Sequence, residues 1–242
     1  MSPSHVVWIS GASSGIGAAL AESVPFPGAQ LFGISRRAPV LGEHVKADLA
    51  QPAEWPAIAS HFDEVLTRRE VEAAAFLHFS GIGTPVGPAA EADPGGYTAA
   101  VLLNSASGQV LGQAFLSACR RNRVDATLVL CSSPAAAKTV PGISHYGAGK
   151  AALQFWATAV ATEVEGWARV FSVVPFAVDT PMVRETIAHP EATPIAAHLR
   201  SAAERGELAS AETTAAQIWQ LVQAGTHGDA VAVGAVPAEV LR

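Results

Sequence analysis

The chain has 242 residues, half of them hydrophobic, and a formal net charge of −6 at pH 7. That length and apolar content suit one α/β domain with a large core. The acidic balance and scattered basic residues argue against nucleic-acid binding. No stretch of about 18 apolar residues free of charge is present to span a membrane.

The first strand-like run, at 6–10, leads directly into G-A-S-S-G-I-G at 11–17. Gly11 permits a sharp turn out of a strand, Gly15 lets backbone approach a pyrophosphate, and Gly17 allows close helix–strand packing. A helix expected over 16–23, beginning at Ile16, turns free N–H groups and the positive end of its dipole toward phosphates. Ser13 and Ser14 add hydroxyl donors. Alone, such a loop reads equally as a tight turn; between a strand and a helix it points to a dinucleotide.

The second strand, 30–35, ends at Ser35 and is followed by Arg36 and Arg37. An acidic residue there would accept from ribose hydroxyls. A guanidinium instead binds a 2′-phosphate with a charge-assisted pair, so the expected cofactor is NADP(H). Arg36 is the first choice for that contact; Arg37 either stacks on adenine or faces solvent. A third strand at 44–47 precedes Asp48 and Leu49, where Asp48 can cap the helix expected over 53–69. The fourth strand, 74–79, runs through H-F-S-G at 78–81. His78 reads as a strand residue with a structural hydrogen bond, and less readily as a catalytic base.

A long helix is expected over 94–121, then a fifth strand over 127–132 that ends beside Ser132 and Ser133. Y-G-A-G-K at 146–150 opens a helix expected over 146–165, with Gly166 placed to end it. Tyr146 and Lys150, four apart, share a helix face. A phenol with a pKa near ~10 is a poor acid–base at neutral pH, and an adjacent ammonium lowers that value. Tyr146 can then donate a proton to a carbonyl oxygen. Ser133, with Ser132 as the alternative, can hold that oxygen by a hydrogen bond. The sixth strand is expected over 169–174. The irregular stretch 175–209 carries Pro175, Pro181, Pro190 and Pro194 and reads as a substrate lid, or else as a decorative insertion. A helix over 210–224 with Ser210 as its N-cap and a strand over 230–234 complete the chain. This alternation implies a Rossmann-type doubly wound, seven-stranded parallel sheet with helices on both faces, in a single domain over 1–242.

The glycine spacing at 11–17, Ser133 ahead of Tyr146 and Lys150, and P-F-A-V-D-T at 175–180 occur in an order that resembles the short-chain dehydrogenase/reductase family across 6–233. The resemblance implies further roles. Asn104 becomes a fourth catalytic residue, helping to hold a water that links Lys150 to solvent. Asp48 and Leu49 sit at the adenine, and Ser80 and Gly81 beside the cofactor ribose. Pro175, Val178 and Thr180 belong to a loop that holds the nicotinamide carboxamide. Tyr146 and Lys150 serve both cofactor and chemistry. Two departures stand out: H-F-S-G where the family has N-N-A-G, and Phe176 where it has glycine. The lost asparagine normally stabilises the sheet, so another group must supply its hydrogen bonds. Phe176 narrows the site or turns toward substrate, with Met182 nearby.

The S-R-R ending of strand two and the run E-R-G-E-L-A-S-A-E at 204–212 resemble the sepiapterin reductase and benzil reductase branch. The expected activity is NADPH-dependent reduction of a ketone, diketone or aldehyde. The alternatives are a non-catalytic NADP(H)-binding sensor or scaffold, and an NADP-dependent alcohol dehydrogenase. The family likeness implies a homodimer or homotetramer built on the helices at 94–121 and 146–165. No metal site is expected, since Cys119 and Cys131 lack zinc-type spacing. Reduced thiols and the lack of a signal-like N-terminus suggest a cytoplasmic protein.

Overall fold

The apolar runs become seven parallel strands: β1 (His5–Ser10), β2 (Gln30–Ser35), β3 (Glu43–Lys46), β4 (Ala73–His78), β5 (Asp125–Cys131), β6 (Ala168–Phe176) and β7 (Ala230–Gly234). They lie in the order β3-β2-β1-β4-β5-β6-β7. The computed structural model describes residues 5–68, 70–188 and 194–236. Arg69, in the helix expected over 53–69, and Pro190, in the lid stretch, therefore lie outside the described residues. The connections run outward from β1 to β3 and then restart at β4. The crevice between the carboxyl ends of β1 and β4 is thus the topological switch point, where such sheets bind ligands.

The helices are α1 (Gly15–Glu22), α2 (Trp55–Thr67), α3 (Pro94–Val101), α4 (Ser107–Asn122), α5 (Ser144–Glu163), α6 (Pro181–Ala188), α7 (Pro194–Glu204) and α8 (Ala211–Gln223). Alternate residues of each central strand enter opposite layers, which is why these strands read as continuous apolar runs. Trp8 and Phe76 pack with Phe62 of α2 and Phe115 of α4 on one face, Trp8 meeting Phe62 edge-on at 5.2 Å between centroids. Val7, Ile9 and Phe171 pack with Leu20 of α1 and Ile218 and Trp219 of α8 on the other.

Several boundaries differ from the sequence reading. A short 3-10 turn, Pro52–Glu54, precedes α2. Asp48 does not cap it; its Oδ1 accepts the Ala50 N–H at 3.1 Å. The helix expected over 94–121 is continuous, but a π-helical segment, Leu102–Ala106, joins α3 to α4. Gly166 does not terminate α5 directly: the helix stops at Glu163, and Gly166, with φ 89°, takes the left-handed position in the turn that follows. β6 continues to Phe176 because that residue pairs with Gly234 of β7. Ser210 does cap α8, accepting the Thr213 N–H at 3.0 Å. No helix among the described residues is long and apolar enough to cross a membrane.

Candidate active site

The glycine turn sits at the switch point. Gly11 has φ 75°, and a Cβ there would lie 3.0 Å from the Phe79 carbonyl. A Cβ on Gly17 would lie 2.4 Å from the Gly11 oxygen, so helix α1 can start this close to β1 only with glycine. Ser14 occupies the N-cap in an extended conformation and makes no side-chain capping bond. The first turn of α1 is therefore not closed by its own cap residue, as a phosphate cradle requires. Ser13 and Ile16 flank this opening. Thr180 and Pro181, at the start of α6, approach within 3.3–3.7 Å of where a Gly15 Cβ would stand. The P-F-A-V-D-T run is thereby brought onto the glycine turn. A dinucleotide pyrophosphate fits this cradle: backbone leaves no room for a side chain at 11 or 17, and Gly15 takes a left-handed φ of 57°.

At the other end of the crevice, the Ser35 hydroxyl donates to the Arg37 carbonyl at 2.6 Å and fixes the turn after β2. Arg36 and Arg37 are both exposed, and neither has an acidic partner among the described residues. Asp48 is partly buried nearby. The Leu49 side chain is buried in the core, and its carbonyl accepts from the Trp55 indole at 3.1 Å. Leu49 can therefore offer a ligand only backbone.

The third cluster joins three elements. Tyr146 and Lys150 lie one turn apart on α5, with the Lys150 Nζ 5.7 Å from the Tyr146 ring centroid. The ammonium donates to the Cys131 carbonyl at the end of β5, at 2.8 Å. Ser133 caps the 3-10 turn Pro134–Ala136, its Oγ accepting the Ala135 N–H at 3.2 Å, and its hydroxyl lies close enough to the Tyr146 phenol to favour the ionised form. Ser132 turns away, donating to Gln154 Oε1 at 2.8 Å, so Ser133 is the serine that meets Tyr146. Asn104 lies in the π segment, buried, with its amide committed to the loop after β4: Nδ2 donates to the Ile82 carbonyl at 2.8 Å and Oδ1 accepts the Ile82 N–H at 3.0 Å. A Cβ on Gly81 would stand 3.1 Å from Asn104 Oδ1 and 3.4 Å from Lys150 Nζ. Ser80 and Gly81 thus lie between the glycine turn and the lysine.

The electrostatics correct one expectation. Burial pushes the Tyr146 phenol above its ordinary pKa, proximity to Cys131 pushes it the same way, and only the Ser133 hydroxyl opposes them. The lowering expected from Lys150 is not among the influences on Tyr146; the ammonium donates instead to the Cys131 carbonyl. Burial also lowers the pKa of Lys150.

Beside this cluster, α6 faces the loop after β4. Met182, Glu185 and Thr186 face Gly83, Thr84 and Val86 across a cleft of about 10 Å³. The sequence reading found Met182 but not this loop, although its glycines and Pro85 mark a turn. Phe176 is half-buried at the end of β6. The left-handed residue is Ala177, with φ 43°, so the substitution of phenylalanine for glycine at 176 falls on a strand position that tolerates a side chain. Pro175 pairs with Val233, and Val178 bridges to Ala209. Among the described residues no cluster of three or more His, Cys, Asp or Glu side chains could hold a metal.

Comparison with known proteins agrees with this architecture. The family model described as short chain dehydrogenase matches residues 5–191. A ligand-free aldohexose dehydrogenase from Thermoplasma acidophilum superposes with TM-score 0.79 at 20% identity, covering 96% of this chain and 92% of that one. A short chain dehydrogenase/reductase from Saccharomyces cerevisiae gives 0.81 at 19% identity, covering 98% of each. A putative NAD(P)-dependent gluconate 5-dehydrogenase from Beutenbergia cavernae, with NADP bound at low occupancy, gives 0.79 at 24% identity and 96% coverage of each. At these identities the likeness is one of fold. No match is found among curated protein sequences.

Proposed function

The chain belongs to the short-chain dehydrogenase family, and from that premise we propose that it is an NADPH-dependent reductase of a ketone, diketone or aldehyde. Membership makes it an oxidoreductase acting on CH–OH and C=O groups with NAD(P)(H). The observation that carries the finer reading is the meeting of Ser133, Tyr146 and Lys150 beside the glycine cradle, with two unpaired arginines at the cradle's far end.

Gly11, Ser13, Ser14, Gly15, Ile16 and Gly17 hold the pyrophosphate, Arg36 the 2′-phosphate, Asp48 and the Leu49 backbone the adenine. Ser80, Gly81 and Lys150 lie along the ribose, and Pro175, Val178 and Thr180 hold the nicotinamide end. When bound, the nicotinamide supplies hydride to the carbonyl carbon. Tyr146 gives its proton to the carbonyl oxygen. Ser133 steadies that oxygen; its Oγ already accepts the Ala135 N–H, which leaves its own proton to donate. The protonated phenol is the form that donates in carbonyl reduction. Asn104 acts through the π segment it anchors, since its amide is bound to Ile82. Phe176 and Met182 border the substrate. The single domain spans 1–242 with 175–209 as its lid, and the protein is a cytoplasmic homodimer or homotetramer.

The test is consumption of NADPH and of NADH with a carbonyl panel that includes 1,2-diketones, quinones and pteridine ketones. NADPH-selective turnover of a diketone or pteridine ketone supports the reading and its branch. Tight NADPH binding without turnover of any carbonyl would favour the sensor or scaffold.

A further inference from the structure

His78 ends β4 with its side chain fully buried, where an unpartnered polar ring would be costly. Its partners determine how its proton is placed. The Ser10 Oγ accepts the N–H of Phe79 at 3.0 Å and of Ser80 at 3.1 Å. Both acceptor positions of that hydroxyl are then used, and its own proton points to His78 Nδ1, 3.0 Å away. Nδ1 is therefore bare, and the neutral ring carries its hydrogen on Nε2. Nε2 lies 3.3 Å from Ser107 Oγ and donates to it. Ser107 in turn donates to the Leu103 carbonyl, inside the π segment, at 2.8 Å. The Phe79 N–H is shared with the Ser10 carbonyl at 3.2 Å, while each side-chain donor has one acceptor, and the order runs in a single direction from the Phe79–Ser80 backbone to Leu103.

Space is made for the ring as well. A Cβ on Gly108 of α4 would stand 2.9 Å from His78 Cδ2 and 2.7 Å from a Leu153 methyl. Glycine at 108 lets α4 close over the imidazole. The backbone strip that the chain pins is also the one that faces the cofactor cradle. A Gly11 Cβ would touch Phe79 and Ser80, and Gly81 abuts Asn104 and Lys150.

We propose that His78 is a positioning residue: as the neutral Nε2–H tautomer it locks the end of β4 to the π segment, and so sets the strip 79–81 on which the dinucleotide rests between the glycine turn and Lys150. This rests on the dinucleotide-binding reading above. Burial holds the His78 pKa down at about 3, and the Lys150 charge adds to the effect. The ring thus stays neutral and the chain keeps its order through the working pH range. A second cation beside Lys150 is avoided.

The test uses the full chain with three substitutions. Ser107→Ala removes one oxygen and leaves the ring's donor unanswered. His78→Phe fills the space without hydrogen bonds. His78→Asn restores an acceptor toward Ser10 and serves as the rescue. NADPH affinity is read by fluorescence titration, and the ring by ¹⁵N NMR of histidine-labelled protein. The wild-type ring is expected to show the Nε2–H neutral pattern from pH 8 to pH 5. NADPH binding and kcat are expected to weaken about threefold or more in Ser107→Ala and about tenfold or more in His78→Phe, each lost hydrogen bond being worth about 1 kcal/mol. The KM for the carbonyl should hold, and His78→Asn should recover most of the loss. An Nδ1–H pattern, protonation near the ordinary histidine pKa of about 6.5, or unchanged NADPH binding alongside lower thermal stability would overturn the proposal. A wild type that binds neither dinucleotide would fail the functional reading and the positioning claim together. One that binds NADPH indifferently to all three substitutions fails the positioning claim alone.

Discussion

In the proposed function, Arg36 is the single side chain that would separate NADPH from NADH. The guanidinium is exposed at the turn after β2 and free of acidic partners among the described residues, so no internal ion pair competes with a phosphate. A hydrogen bond to a charged group contributes about 1.5–3 kcal/mol. Arg36→Asp should therefore raise the KM for NADPH by roughly 10- to 100-fold while changing that for NADH little. An unchanged NADPH KM would place the 2′-phosphate elsewhere, with Arg37 the next residue to test. Type and spacing made the candidate residues legible at this scale: the glycines, the arginine pair and the Tyr146–Lys150 interval are local patterns with local causes. The ordering of Ser10, His78 and Ser107 was not legible. Those residues lie 68 and 29 positions apart and meet only because β1, β4 and α4 pack together. The Tyr146 pKa misled for a related reason, because the lysine is visible in the sequence and the burial is not.

Among the elements, α6 packs closely against the loop after β4. The cleft between α6 and the loop at 83–86 holds about 10 Å³, no more than a single water. A Cβ on Gly83 would stand 3.7 Å from Thr186 Oγ1 and 3.8 Å from Met182 Cγ, ordinary contact distances. If substrate binds between α6 and this loop, as proposed, α6 must move from the loop to admit it. A Gly83→Cys, Thr186→Cys pair, oxidised, is expected to cut carbonyl turnover at least ~10-fold and to recover on reduction. Equal turnover in both redox states would show that substrate enters without moving α6. The element boundaries show where periodicity stops being informative. Strand and helix centres followed from apolar patterning. The π segment did not, because its backbone hydrogen-bond shift leaves the residue pattern helical. Nor did the extension of β6 to Phe176, since only pairing with β7 makes that residue a strand position.

For the whole molecule, the two core layers bury the central-strand side chains, yet among the described residues Phe155 on α5 is 79% exposed. Val101 and Val110, on α3 and α4, are exposed too. These are the helices that the family likeness assigns to a subunit interface. Phe155→Arg is expected to shift the protein toward monomer in light scattering, with its fold retained. An unchanged mass would place the interface on another face. In the proposed function, the parallel order and its switch point frame one event, proton donation by Tyr146 as a carbonyl is reduced. The measurement that addresses that event most directly is single-turnover NADPH oxidation, with the best carbonyl of the panel, by the wild type and by Tyr146→Phe. The account predicts that the variant binds NADPH as the wild type does but reduces the carbonyl more slowly by at least ~10²-fold, the usual range for losing a general acid. Equal rates in the two proteins would contradict the assignment of Tyr146 as the proton donor.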